Sequence, residues 1–209
     1  MRPTNLEDAR SAFNEVSAGT LRGRDSFAKL LGAQSNLRLS GMDPASEEAY
    51  KAIGTTKETF TSLLRAKYLR AARENYEDSI DANFLGANRQ IQDALSDLHL
   101  VPAYMALGGL DPAKDESWPA AIGASREEYM TVKRTRLTDE AKRCFDMVEQ
   151  PNRDHKSKVS ALESAQYYLK EAGFSLTDEK AYAAIKTTKT DFDALQKKER
   201  ELAHREFGF

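Results

Sequence analysis

Apolar residues recur along this chain at the spacing of helices rather than strands. Three segments each end at a glycine and carry apolar residues 14, 11 and 4 positions before it. The glycines are Gly41, Gly109 and Gly173. The apolar residues are Phe27, Leu30 and Leu37, then Leu95, Leu98 and Met105, then Val159, Leu162 and Leu169. Spacings of three and seven place each set on one helical face. The pattern predicts three helices that each end at a glycine with left-handed backbone.

A short helix and then a long helix are predicted after each glycine. In the first copy we expect Asp43 to be the N-cap of the short helix, Pro44 its first residue and Gly54 its approximate end. The long helices are expected to begin after Thr56, Ser125 and Thr188, whose side chains can accept a bond from the first turn.

The second copy carries three residues that predict irregularity. Pro102 is expected to interrupt its first helix, and Pro119 is expected to disturb its short helix, because proline lacks the N–H of the helical ladder. Its long helix is expected to break near Thr138.

The chain also repeats itself. Residues 41–63 and 173–195 are identical at 11 of 23 positions without a gap, and the middle copy aligns with one inserted residue. We therefore predict an all-α fold of three tandem helical repeats of about 65 residues, stacked as a solenoid or closed into a pseudo-threefold bundle. The predicted divisions are 1–21 (a capping helix over 5–16 and a loop), 22–86, 87–152 and 153–209, forming one continuous domain.

Large side chains at matching places in the three copies are predicted to form the core. Spacings of three, four and seven residues put them on one face across the corner between the short and long helices. They are Tyr50, Ile53, Phe60, Trp118, Ile122, Tyr129, Tyr182, Ile185 and Phe192.

Composition narrows the class of protein. The chain has 209 residues, of which 40% are hydrophobic and 31% charged, so a disordered chain is not expected. Alanine occurs 29 times against five each of valine and isoleucine, a bias that favours helices over sheets. The net charge of −2 gives no general attraction to nucleic acid. No apolar run approaches a membrane span and no signal-peptide core is visible, which predicts no membrane contact and a location in the cytoplasm or inside a macromolecular assembly.

Candidate chemistry is sparse. Glu201 and His204 have the Glu-x-x-His spacing of carboxylate-bridged di-iron bundles, but such sites need a second copy and two more glutamates, so a surface ion pair is favoured. Cys144 could be a nucleophile with His155 or His204 as base, although a buried structural cysteine is the preferred interpretation.

Two binding-loop patterns are also considered. The acidic turns at Asp43 and Asp111 lack the alternating oxygen ligands of a calcium loop and are interpreted as helix caps. No phosphate-binding glycine loop is present. We therefore expect no catalytic residue, cofactor or metal.

Basic residues occupy equivalent places in the third helix of every copy. They stand directly after the N-cap, five residues after the aromatic residue and thirteen residues after it. The nine positions are Lys57, Arg126, Lys189, Arg65, Arg134, Lys197, Arg73, Lys142 and Arg205. Solvated surface charge explains them, but core packing does not require surface charge to repeat, so three equivalent docking patches are a functional hypothesis.

Three function classes follow from this pattern. The preferred one is a non-enzymatic scaffold, adaptor or structural component that engages protein partners through repeated surfaces. The alternative is a nucleic-acid-binding module that uses the repeated basic patches. The third is an enzyme built from Glu201, His204 and Cys144, which the lack of a convergent catalytic set disfavours.

Overall fold

The chain is α-helical throughout the part described by a computed structural model, residues 3–81 and 88–207. No β-strand occurs in those residues, which confirms the all-α prediction. The helices are α1 (Pro3–Ser17), α2 (Gly23–Leu39), α3 (Glu47–Ala52), α4 (Lys57–Ile80), α5 (Asn88–Leu107), α6 (Ser117–Ile122), α7 (Arg126–Asp146), α8 (His155–Glu171), α9 (Glu179–Ala183) and α10 (Lys189–Phe207), with a 3₁₀ turn at Met147–Glu149. Within the described residues, no helix has the length and apolar content needed to cross a bilayer.

The helices form two compact units. Unit 1 comprises Met1–Asp78 and Asp97–Arg126, and unit 2 comprises Ser79–Ser96 and Glu127–Phe209. The predicted repeat boundary at residues 86 and 87 lies outside the described residues, and the division into three repeats stays a prediction.

The core of unit 1 is formed by the apolar faces of α1 to α4. One cluster of buried residues there comprises Ala9, Phe13, Val16, Leu30, Ala33, Leu37, Ala49, Tyr50, Ile53 and Phe60. The Phe13 and Phe60 rings stack with centroids 5.9 Å apart, and the Tyr50 ring lies 5.0 Å from Phe60. Such offset aromatic contacts add to the free energy of burial itself.

The core of unit 2 uses the same residue types in the same order. Its buried residues include Ala141, Val148, Leu162, Ala165, Leu169, Ala181, Tyr182, Ile185 and Phe192. Each stands 132 positions after a core residue of unit 1. The Phe145 and Phe192 rings stack at 5.7 Å, and the Tyr182 ring lies 5.2 Å from Phe192. All nine residues predicted as core are buried, which confirms that prediction.

Each long helix that runs into a glycine ends in the predicted way. Gly41, Gly109 and Gly173 have φ values of 78°, 87° and 83°, in the left-handed region. The residue after each glycine donates its N–H to the carbonyl five positions earlier, at 3.0 Å in all three cases. This is the Schellman arrangement, which satisfies carbonyls that the end of a helix leaves free. The predicted left-handed caps are confirmed.

The short helix in the first copy begins later than predicted. Ser46, not Asp43, is the N-cap of α3, and its side chain accepts a hydrogen bond from the Ala49 N–H. The Asp43 carboxylate instead accepts from the Ala45 N–H at 2.9 Å and closes the preceding turn. The prediction that Pro44 opens the helix is therefore wrong as well.

The second copy is more regular than predicted. Pro102 lies inside a continuous α5, where the neighbouring Leu98, Val101 and Met105 are all buried and stabilise the helix despite the missing N–H. Pro119 is the third residue of α6, a position whose N–H has no partner within a helix, so it causes no break. The predictions of interruption at these two prolines are wrong.

The second long helix is also unbroken. Helix α7 continues through Thr138, whose hydroxyl donates to the Arg134 carbonyl at 2.9 Å. The threonine hydroxyl is therefore satisfied inside the helix and does not compete with the helical backbone.

Removing the left-handed glycine should cost free energy through backbone conformation alone. Nothing lies within 4 Å of the Cβ that alanine would add at Gly41 or Gly173. We expect Gly41→Ala and Gly173→Ala each to lower the free energy of unfolding by ~1–2 kcal/mol in chemical denaturation. Gly32→Ala is the matched control, because Gly32 lies inside α2 with equally open space, and there alanine should stabilise by up to ~1 kcal/mol. Equal effects at Gly41 and Gly32 would contradict this account.

Truncating the central ring of either core should lower the free energy of unfolding strongly. We expect Phe60→Ala and Phe192→Ala each to lower the free energy of unfolding by ~3–5 kcal/mol, because each removes a fully buried ring. Leu39→Ala, on a side chain that is 68% exposed, should change it by less than ~0.5 kcal/mol. A Phe variant that melts like the parent protein would show that its ring is not part of the core.

Candidate functional site

The basic residues directly after the N-caps contact carbonyl or carboxylate groups of their own chain. Lys57 Nζ donates to the Ala45 carbonyl at 2.8 Å, and Arg126 Nη1 donates to the Ala113 carbonyl at 3.5 Å. Lys189 Nζ pairs with Asp193 on the next turn of α10. Each of these three charges thus has a partner within the chain, and the contact is equivalent for Lys57 and Arg126.

The basic residues five positions after the aromatic lie against the next glycine corner. Arg65 Cδ and Nε lie 3.9 Å from the place of a Cβ on Gly109, within unit 1. Within unit 2, the Arg134 guanidinium lies 4.5 Å above the ring of Phe174, the residue after Gly173. A guanidinium over an aromatic face is attracted to the ring electrons. Lys197, the third member, is exposed on α10.

The last set of basic positions has mixed surroundings. Arg73 Nη2 lies 3.8 Å from the place of a Cβ on Gly123, and Lys142 pairs with Asp146 at 2.5 Å. Arg205 is exposed. Docking of a partner on the nine basic positions stays a prediction, and seven of the nine are exposed, Lys197 and Arg205 among them.

The most unusual side chain of unit 2 was missed by sequence reasoning. Glu140 on α7 is fully buried. Its carboxylate accepts two bonds from Arg143, from Nε at 2.7 Å and from Nη2 at 2.5 Å, and a third from Gln92 Nε2 at 3.1 Å. The hydrogen bond to Glu140 raises the pKa of Arg143. A bidentate pair of this kind stabilises a charge that burial alone would make costly.

A cavity of about 260 Å³ lies beside this ion pair, between α7 and α8. One wall carries Glu140, Arg143 and Cys144 from α7 and Met147 from the 3₁₀ turn that follows it, and the facing wall carries serines and Tyr168 from α8. The arrangement can bind a small polar molecule, because hydrogen-bonding groups line a concave space that is open to solvent.

Cys144 is a poor nucleophile in this setting. Burial and the neighbouring Glu140 carboxylate raise the pKa of its thiol to about 11, so it is protonated at neutral pH. His155 Nδ1 lies 2.5 Å from Glu199 Oε2. Glu201 and His204 are exposed on α10. Among the described residues, no three His, Cys, Asp or Glu side chains are grouped as metal ligands.

A signal for Glu140 was present in the sequence. Leu137, Ala141 and Cys144 form a buried stripe on α7, and Glu140 stands three residues after Leu137 and four before Cys144. An acid inside an apolar stripe indicates a buried charge with a partner. The repeat alignment hid it, because the equivalent residue of α4 is Ala71.

Comparison with known proteins does not add to this description. The chain matches no known protein family, and neither the curated proteins nor the solved structures include a similar one. The function must therefore be argued from the residues and contacts described above.

Breaking the buried ion pair should destabilise the protein far more than breaking an exposed one on the same helix. We expect Glu140→Ala to lower the free energy of unfolding by ~3–5 kcal/mol, because it leaves Arg143 without its carboxylate in a largely buried place. Asp146→Ala, which breaks the exposed Lys142 pair of α7, should cost less than ~1 kcal/mol. Similar costs for the two variants in urea denaturation would refute the assigned role of Glu140.

Proposed function

We propose that this chain is a non-enzymatic helical-repeat protein that acts as a scaffold or adaptor, or as a structural component of a larger assembly. In this proposal the chain comprises three tandem copies of a helix, a glycine turn, a short helix and a long helix. Repeat proteins of this kind present similar surfaces at regular intervals, and they bind partners over those surfaces.

One repeated contact carries the proposal. The aromatic residue of each short helix donates a hydrogen bond to the carbonyl three residues after the glycine. The bonds run from Tyr50 Oη to Pro44 at 2.8 Å, from Trp118 Nε1 to Pro112 at 3.1 Å and from Tyr182 Oη to Leu176 at 3.2 Å. Burial of the ring does not require its polar atom to bond to the equivalent carbonyl in all three copies. The recurrence supports descent of all three corners from one structural unit.

The turn below each ring repeats as well. The Asp43 and Asp111 carboxylates accept from the N–H two residues later at 2.9 Å, and Ser175 Oγ accepts in the same way at 3.3 Å. A short polar side chain at this place closes the turn whether it is aspartate or serine. The repeated corner therefore tolerates a change of residue while it keeps its hydrogen bond.

Exposed leucines favour a protein partner over a nucleic acid. Leu39 and Leu107 stand two residues before their glycines on α2 and α5 of unit 1, and they are 68% and 54% exposed. Leu31 and Leu100, two turns earlier on the same helices, are also exposed. Leucine offers apolar area to a protein surface, but it supplies neither a phosphate contact nor a base-stacking plane.

The basic positions favour the same choice. Several of them bind carbonyls, acids or an aromatic ring of their own chain, as described above. Nucleic-acid affinity depends on cations free to neutralise phosphates, so each internal contact reduces the support for the nucleic-acid alternative.

The test compares two surface variants of the full chain. Leu39→Asp/Leu107→Asp should abolish co-purification of a stoichiometric protein from the native source, because it places charge in an apolar contact. Lys197→Glu/Arg205→Glu should retain that partner. Tyr167→Asp is the matched control, since Tyr167 is an exposed apolar residue of α8 outside the repeated pair.

Nucleic-acid binding is measured on the same variants by fluorescence anisotropy against salt. We expect no saturable binding at physiological ionic strength. Stoichiometric, salt-sensitive binding that is lost in Lys197→Glu/Arg205→Glu but kept in Leu39→Asp/Leu107→Asp would overturn the scaffold proposal in favour of the nucleic-acid alternative.

A further inference from the structure

The cavity of unit 2 is lined by residues whose equivalents in unit 1 form an ion pair between two helices. Lys29 of α2 reaches Glu15 of α1 at 2.5 Å. The residues 132 positions later, Ala161 and Met147, both line the cavity. Unit 2 thus has the methyl group of Ala161 where unit 1 has a lysine side chain that bridges two helices. The smaller side chain leaves room between α7 and α8.

The wall formed by α8 is a row of hydroxyl groups. Ser157, Ser160, Ser164 and Tyr168 stand at spacings of three and four along one face of that helix, and all of them line the cavity. The equivalent residues of α2 are Asp25, Ala28, Gly32 and Asn36. The repeat therefore does not account for the hydroxyl row.

The facing wall supplies positive charge. The Glu140 carboxylate is matched by two bonds from Arg143, and the remaining Nη1 of Arg143 faces only Met147 Sδ, at 3.2 Å. Sulfur is a weak acceptor for so strong a donor. Arg153 also lines the cavity, and its charge acts on the Cys144 thiol to lower its pKa against the larger effect of burial. Among the residues that line the cavity, Glu140 is paired with Arg143, and Arg153 adds one positive charge.

We propose that this cavity is a binding site for a small oxyanion, a phosphate or carboxylate group carried by a compact molecule. The anion is held by Arg153 and Arg143 Nη1 on one side and by the hydroxyls of Ser160 and Ser164 on the other, while Ser157 Oγ donates to Asp154 at 3.0 Å. With a volume of about 260 Å³ and an opening to solvent, the cavity admits a small anionic molecule. Guanidinium groups are suited to phosphate and carboxylate because their donors match two oxygens of the anion.

The experiment is a titration of the full chain followed by amide NMR shifts at Ser157 and Ser164. The probes are inorganic phosphate, acetate and neutral glycerol, at constant ionic strength set with chloride. We expect saturable binding of phosphate or acetate with a dissociation constant on the order of 1 mM, and none of glycerol. Saturation by phosphate alone assigns a phosphate ligand, and saturation by acetate alone assigns a carboxylate ligand.

Two variants locate the binding in the cavity. Arg153→Met should weaken it ~10-fold or more, through loss of a charged donor. Ala161→Lys/Met147→Glu rebuilds the bridge of unit 1 across the cavity and should abolish it. Arg200→Met is the matched control, because Arg200 pairs with Glu163 on the exposed part of unit 2 and should leave binding unchanged.

Folding of each variant is checked by its melting temperature, and Arg153→Met provides the decisive comparison if the double variant unfolds. Absence of saturation with both anions would overturn the proposal. So would binding that Arg153→Met leaves unchanged, or glycerol binding as strong as that of the anions.

Discussion

The hydrogen bond from the short-helix ring to the carbonyl after the glycine turn constrains most of what surrounds it. The left-handed glycine reverses the chain, and the ring bond then fixes how the short helix returns over the turn. A ring held at both its apolar body and its polar tip can enter the core in only one orientation. Tyr50 and Tyr182 accordingly meet Phe60 and Phe192 at nearly equal distances, 5.0 and 5.2 Å. Because Phe60 and Phe192 lie on the long helices, this ring pair fixes how each long helix packs against its short helix.

The same corners determine how the surface charges are used. A tight turn leaves carbonyls at its rim, and Lys57 and Arg126 bind such carbonyls at equivalent places. The Arg65 side chain also packs beside the glycine of a corner, 3.9 Å from the place of a Cβ on Gly109. Repeated cations thus follow from a repeated corner, and repetition alone is weak support for a docking patch. Exposure of Leu39 and Leu107 at equivalent places of two copies is stronger support, because an exposed leucine adds nothing to the core; the third copy has Glu171 there.

The sequence predicted the helices, the left-handed caps and the nine core residues because each depends on local pattern: helical spacing, a glycine and a repeat that shows it three times. Its errors lie where a tertiary contact overrides a local preference. Pro102 was expected to interrupt a helix, but its neighbours on α5 are buried deeply enough to keep the helix intact. Glu140 was missed because the repeat alignment places it opposite Ala71 and because its contact with Gln92 spans 48 residues of sequence. Partners that are distant in sequence are invisible to periodicity.

The polar groups of the proposed binding site lie where unit 2 departs from the repeated sequence. A core that must recur at a constant spacing admits few polar groups, since each copy has to bury the same faces. Unit 2 keeps those faces and changes the residues beside them: Lys29 and Glu15 give way to Ala161 and Met147, and a buried Glu140 enters the stripe of α7. A buried ion pair contributes little net stability compared with apolar packing, so stability alone does not explain its presence. Its position on the wall of a hydroxyl-lined cavity gives it a role in recognition, because it holds Arg143 rigidly with one donor directed at a weak acceptor. In the proposed site, the residues that the two units share thus form the core, and the residues that differ between them provide the binding groups.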